Sequence, residues 1–286
     1  MNTKFSLSLV LAPLVGSAIA ANSLTYDFNS SSSDDLFTGG GVSGWSQDSA
    51  NPVAFGGVTF PLAYVAATNF GGGSTSSAHL GTQRANTPNN ESTTLTGSLT
   101  SLTAAGDQQG GPHIYSMVSV SFDMAVLDNT ADSFAGRDGF SVALTTDAGG
   151  EAATIGFSPT GGDDDKWDVS VGVNGSTSTT GQTIDANSAY RFYINSKNGL
   201  TNFKFSAADG SGLTIGLDSI VSPFSSGFTT TLNSVTGIAF SHDPLAPTGT
   251  SANTLAFDNI SVQIPEPSSS LLMVLSAGLI AIRRRR

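Results

Sequence analysis

Apolar residues recur at every second position along most of this chain. In "MVSVSFDMAV", Val118, Val120, Phe122, Met124 and Val126 alternate with small or polar neighbours. Trp167, Val169, Val171 and Val173 do the same against Asp168, Ser170 and Gly172. Shorter runs follow that rule at Phe140, Val142 and Leu144, at Tyr190, Phe192 and Ile194, at Phe203 and Phe205, and at Leu213, Ile215 and Leu217. A period of two puts one apolar face on each strand. Clusters such as "SPTGGDDDK", "VNGSTSTTGQ" and "AADGSG" separate the runs as turns or loops. No internal stretch repeats its apolar residues at 3.6. Many short strands with one buried face each predict an all-β protein, a two-sheet antiparallel β-sandwich. No linker or internal repeat divides it, so a single domain is expected.

Two regions depart from the plain pattern. Residues 30–103 mix strand-like pieces with glycine triplets, which predicts short strands joined by long surface loops, the usual place for binding sites. In "NTLAFDNISVQI", Leu255 and Phe257 hold odd positions, whereas Ile260, Val262 and Ile264 hold even ones. A strand keeps one inward face unless an extra residue intervenes, so a β-bulge is predicted near Asp258-Asn259.

The ends of the chain read differently. Met1 to Lys4 is short and basic, Phe5 to Ala18 is mostly apolar, and "SAIA" places Ala18 and Ala20 where signal peptidase needs small residues. Residues 1–20 are therefore expected to be a helical signal peptide, with Ala21 the first residue of the mature chain. At the other end stands "IPEPSSSLLMVLSAGLIAIRRRR". Its apolar run, Ser268 to Ile282, would reach roughly 22 Å as a helix, against a hydrocarbon core of about 30 Å. That makes a short transmembrane helix suited to transient anchoring. A core helix would gain nothing from the flanking prolines or from four adjacent like charges. Arginines 283–286 keep their end in the cytoplasm while the body lies outside.

Pro265, Glu266 and Pro267, followed by a short apolar stretch and Arg283, Arg284, Arg285 and Arg286, resemble the PEP-CTERM sorting signal of Gram-negative bacteria. The resemblance implies recognition by exosortase, a membrane peptidase, and delivery to the cell surface or extracellular matrix, often in connection with exopolysaccharide and biofilm. It covers residues 265–286 only and is an address, silent about the cargo.

The cargo is then residues 21–264, with 21 acidic against six basic side chains, a net charge of −15. Nucleic acid, which needs clustered cations, is excluded as a partner. Charged residues are only 12% of the whole chain, against about 25% in ordinary domains, so hydroxyls and amides must keep the surface wet. The absence of cysteine rules out disulfide staples, thiol nucleophiles and Cys-ligated zinc.

Candidate ligand residues are few. "AGRDGFSVALTTDAGGEAATIGFSPTG" resembles a segment of the L-type lectins and their concanavalin-like jelly-roll relatives, in which an Asp-Gly pair opens an alternating strand. That resemblance implies sugar binding by Asp138; ordinary turn chemistry is the alternative. The metal-binding strand of those lectins is missing here. Asp163, Asp164 and Asp165 form an acidic loop that is either solvated or a site for a hard cation. Asp27 and Asp258, on the first and last strands, stand where sandwich-shaped carbohydrate-binding modules often hold one structural calcium; otherwise they are strand-end caps or bulge residues. Of the two tryptophans, Trp167 heads a strand and is expected in the core. Trp45, in "GGGVSGWSQDS", is the candidate for an exposed stacking platform, with the core as its alternative.

Catalysis finds little support. His79, His113 and His242 are far apart and match no metal spacing. No G-x-S-x-G elbow occurs. A sandwich-fold glycosidase needs two suitably spaced carboxylates, yet only Glu91, Glu151 and Glu266 are glutamates. The expectation is a non-catalytic, exported, polysaccharide-binding sandwich, with a self-assembling matrix protein as the alternative.

Overall fold

The computed structural model describes residues 22–31, 37, 42–48, 53–55, 58–67, 70, 76–81, 92–99, 117–128, 137–146, 150–161, 165–197, 200–207, 215–216, 235–244 and 253–264. Every paired element among them is an antiparallel strand. Sheet A runs in the order β15 (Ile215–Gly216), β14 (Leu200–Ala207), β13 (Tyr190–Lys197), β8 (Met117–Asp128), β17 (Asn253–Ile264), β6 (Ser77–Gly81) and β5 (Ala63–Ala66). Its eighth strand, β1 (Asn22–Tyr26), pairs with β17 beyond the end of β6. Sheet B runs β12 (Ser176–Asp185), β11 (Lys166–Val173), β10 (Glu151–Pro159), β9 (Gly139–Thr146), β16 (Val235–Asp243), β7 (Thr93–Ser98) and β2 (Trp45–Gln47). A small hairpin, β3 (Val53–Phe55) with β4 (Val58–Phe60), stands apart. Residues Asn22–Pro265 make one compact unit.

The period-two residues are the core. Phe122, Phe192, Phe203, Phe205 and Phe257 point inward from sheet A, and Val142, Phe157, Trp167, Val169, Val171 and Phe240 from sheet B. Phe240 and Phe257, on strands of opposite sheets, stack 3.8 Å apart and 2° from parallel. Phe122 meets Phe240 edge-on at 5.4 Å, and Phe157 meets Phe192 at 5.3 Å. Burial of each such side chain contributes about 1.5–3 kcal/mol, and without disulfides this layer carries the fold.

Local chemistry sets the connections. β11 and β12 join through Asn174-Gly175 alone, at φ of 50° and 77°. This is the left-handed pair that a two-residue hairpin loop demands. The predicted bulge is present. Asp258 pairs with Asp123 and Ser261 with Ser121, so two residues of β17 face one of β8, and Asn259 takes a φ of 51°.

One segment corrects the sequence reading. "VNGSTSTTGQ", expected as a loop, is mostly strand β12, an edge strand with Ile184 its one buried residue. The signal-peptide and membrane-helix expectations fall on residues 1–21 and 265–286, outside the described residues. Among the described residues no helix is long and apolar enough to cross a membrane.

Candidate functional site

The bulge of β17 organises one end of sheet A. It leaves Asp258 on the face opposite Phe257, fully buried, with an oxygen accepting the Phe28 amide at 3.2 Å. Directly across lies Asp123, also fully buried. Two carboxylates facing each other repel. Arg191 answers with a two-pronged contact to Asp123, Nε to Oδ1 at 2.7 Å and Nη2 to Oδ2 at 2.8 Å, and Asn259 Nδ2 donates to the same carboxylate at 2.9 Å. These hydrogen bonds hold the proton of the Arg191 guanidinium more tightly than usual. On the same face, Ser77 Oγ lies 3.1 Å from His79 Nε2, both buried, and burial lowers the His79 pKa to about 4.

Asp27 is exposed and accepts the Asn29 amide at 2.9 Å, as a turn-capping aspartate does. The first and last strands do pair, as expected, but each of these two aspartates accepts a backbone amide. Calcium takes six to eight oxygens. Among the described residues no group of three or more His, Cys, Asp or Glu side chains gathers in metal-binding range. Asp27 and Asp258 are thus not part of such a group among the described residues. Asp165 is exposed, while Asp163 and Asp164 lie outside the described residues.

The residues proposed as sugar ligands face inward. Asp138 is 1% exposed. His242 Nε2 donates to its carboxylate at 2.9 Å, its amide donates to Asn253 Oδ1 at 3.0 Å, and Trp167 Nε1 donates to its carbonyl at 2.9 Å. Asp138 thus ties β9 to β16, β17 and β11, and its carboxylate is turned away from solvent. Beside it, buried Arg137 bonds Asp128 through Nε at 2.8 Å and sits 5.8 Å from the centre of the Trp167 ring. Trp45 is no exposed platform either. It is 6% exposed and packed among Tyr26, Phe28, Phe37, Phe240 and Phe257. An indole with that many ring neighbours gains more from the core than a surface position offers.

A surface the sequence reading missed lies on the outer face of sheet B. One row crosses all seven strands: Ser46, Thr96, Ala239, Ala143, Thr154, Gly172 and Thr177. The next row reads Thr94, Ser241, Ser141, Gly156, Ser170 and Thr179. Neither row contains an ionisable or aromatic side chain, although Ala239, Ala143 and Gly172 are buried, the Glu151 carboxylate accepts from Thr154 Oγ1 at 2.9 Å, and Asp48 accepts the Thr94 amide at 2.8 Å. The signal for them was present: these are the small polar positions between the apolar ones of each strand.

The fold is that of a two-sheet antiparallel β-sandwich. The CBM2 module of the evolved Dit protein of Lactobacillus casei BL23 phage J-1 matches over 86% of this chain and 98% of its own, at 14% identity and a TM-score of 0.50. A lectin from Bauhinia forficata, in complex with GalNAc, covers 84% of this chain and 97% of its own at 10% identity and a TM-score of 0.41. A GH131 β-glucanase catalytic domain from Podospora anserina covers 72% and 79% at 11% identity and 0.40. Likeness at these identities is one of fold alone. No curated protein matches the chain. Residues 263–286 match the PEP-CTERM protein-sorting motif. Its prolines and arginines lie outside the described residues, while Gln263 and Ile264 belong to β17.

Proposed function

We propose that this chain is an exported, non-catalytic protein, sorted by exosortase to the surface or matrix of a Gram-negative cell, where its sandwich holds neutral polysaccharide. The carrying observation is the pair of uncharged rows on sheet B. Seven strands at about 4.8 Å spacing give a platform roughly 30 Å wide, suited to an extended polymer that hydrogen-bonds to hydroxyls. Glycoside hydrolysis is not read here, because it needs two carboxylates across the scissile bond and the rows supply none. Binding of residues 22–264 to insoluble neutral polysaccharide tests this reading. Saturable retention should be lost in a Thr96→Lys/Ser241→Lys variant whose circular dichroism is unchanged. Release of reducing sugar, or retention unaffected by these substitutions, overturns it.

The burial of Trp45 and Asp138 favours a second reading, a structural matrix protein without a discrete ligand. Concentration-dependent polymerisation with no sugar preference would select that one.

A further inference from the structure

The sorting motif begins inside the folded sheet. Its first two residues, Gln263 and Ile264, are paired with Ser23 and Asn22 of β1. A peptidase that takes its substrate as an extended strand needs main-chain groups along one edge of that strand. Over residues 260–264, β8 pairs with one edge of β17 through Ser261, Val262 and Gln263. The other edge pairs with β1.

β1 is held lightly. Ser23 and Thr25 are exposed, and Leu24 and Tyr26 are only half-buried. Just past it the chain is pinned: Phe28 is 1% exposed and its amide bonds Asp258. The Asn259 bulge separates this stretch of β17 from the half paired with β6. The four residues Asn22 to Thr25 can therefore lift about Tyr26 while the core stays packed, a local opening of the kind that costs far less than unfolding.

We infer that residues 22–25 of β1 are a releasable strap over the sorting site: the processing peptidase adds to the 261–264 edge of β17 in their place. The inference rests on the sorting reading above. It assigns that reading a docking edge and a competitor within the chain.

The chain has no cysteine, so Ser23→Cys with Gln263→Cys, at cross-strand partners within disulfide reach, creates a single possible staple. The test uses the full chain co-produced with an exosortase and exported, with intact mass reporting loss of the terminal arginines. Processing of the oxidised double variant should be at least about tenfold slower than that of either single variant, since access requires opening. Leu24→Asp, which loosens the strap, should speed it severalfold. A stapled chain processed as fast as the single variants overturns the strap while leaving sorting intact, as does an unchanged rate for Leu24→Asp. A wild-type chain that keeps its tail overturns the sorting reading and the strap with it.

Discussion

The two sheets turn different surfaces outward. Sheet B presents short hydroxyls, glycines and alanines in cross-strand rows. The outer face of sheet A is a second small interior: Ala125 and Ala256 lie under Phe70, Asp123 and Asp258 are fully buried, and Ser77 and His79 adjoin them on β6. The same alternation of large apolar and small polar residues produced both. On sheet A the polar positions include charges, and buried charges must be paired. On sheet B they are mostly hydroxyls, and charges such as Asp168 and Asp243 are exposed to water. The contrast places chemical strain on one layer and contact area on the other.

A lysine introduced on each face would break this contrast most sharply. Ala256→Lys buries an uncompensated charge beneath Phe70 and should cost about 3–5 kcal/mol in urea unfolding. Thr177→Lys, at the exposed end of the hydroxyl row on sheet B, should stay within about 1 kcal/mol. Equal costs would mean that sheet B is covered as sheet A is. Next in size is Asp123→Ala, expected to cost about 3 kcal/mol, the low end for a broken buried pair because half-exposed Arg191 can turn to water.

His79 sharpens the comparison through pH. Its folded-state pKa is depressed to about 4, so the unfolded chain binds the extra proton first as pH falls. The stability it contributes is complete above about 6.5 and is lost between there and 4, roughly 2–3 kcal/mol by pH 4. Unfolding midpoints measured across that window should flatten in His79→Gln. The smallest expected effect is on sheet B. Thr94→Ala with Ser241→Ala removes a 3.0 Å hydroxyl contact and should cost under about 1 kcal/mol, yet reduce polysaccharide retention in the same binding assay.

Much of the fold was legible. The alternating runs became β8, β9, β11, β13 and β14, and the parity break in "NTLAFDNISVQI" located the bulge. β12 was missed for a physical reason: an edge strand buries little, so "STSTTGQTID" carries no apolar period, and its strand character comes from pairing with β11. Trp45 misled because glycine and serine neighbours imply exposure, whereas β2 lies at a sheet edge where Phe28 and Phe37 fold over it. Asp138 misled because an Asp-Gly pair looks alike whether its carboxylate faces solvent or a buried histidine 104 residues away.

What the sequence settled alone was everything local: strand periodicity, the bulge, the absence of disulfides, and an address carried in contiguous residues at the end of the chain. The tertiary structure decided which polar residues face outward. That choice depends on partners far apart in sequence. Asp123 meets Arg191 and Asp258 only when β8 lies between β13 and β17. The strap over Ile264 exists only because the first strand closes on the last. Burial is a property of neighbours, and neighbours are assigned by folding.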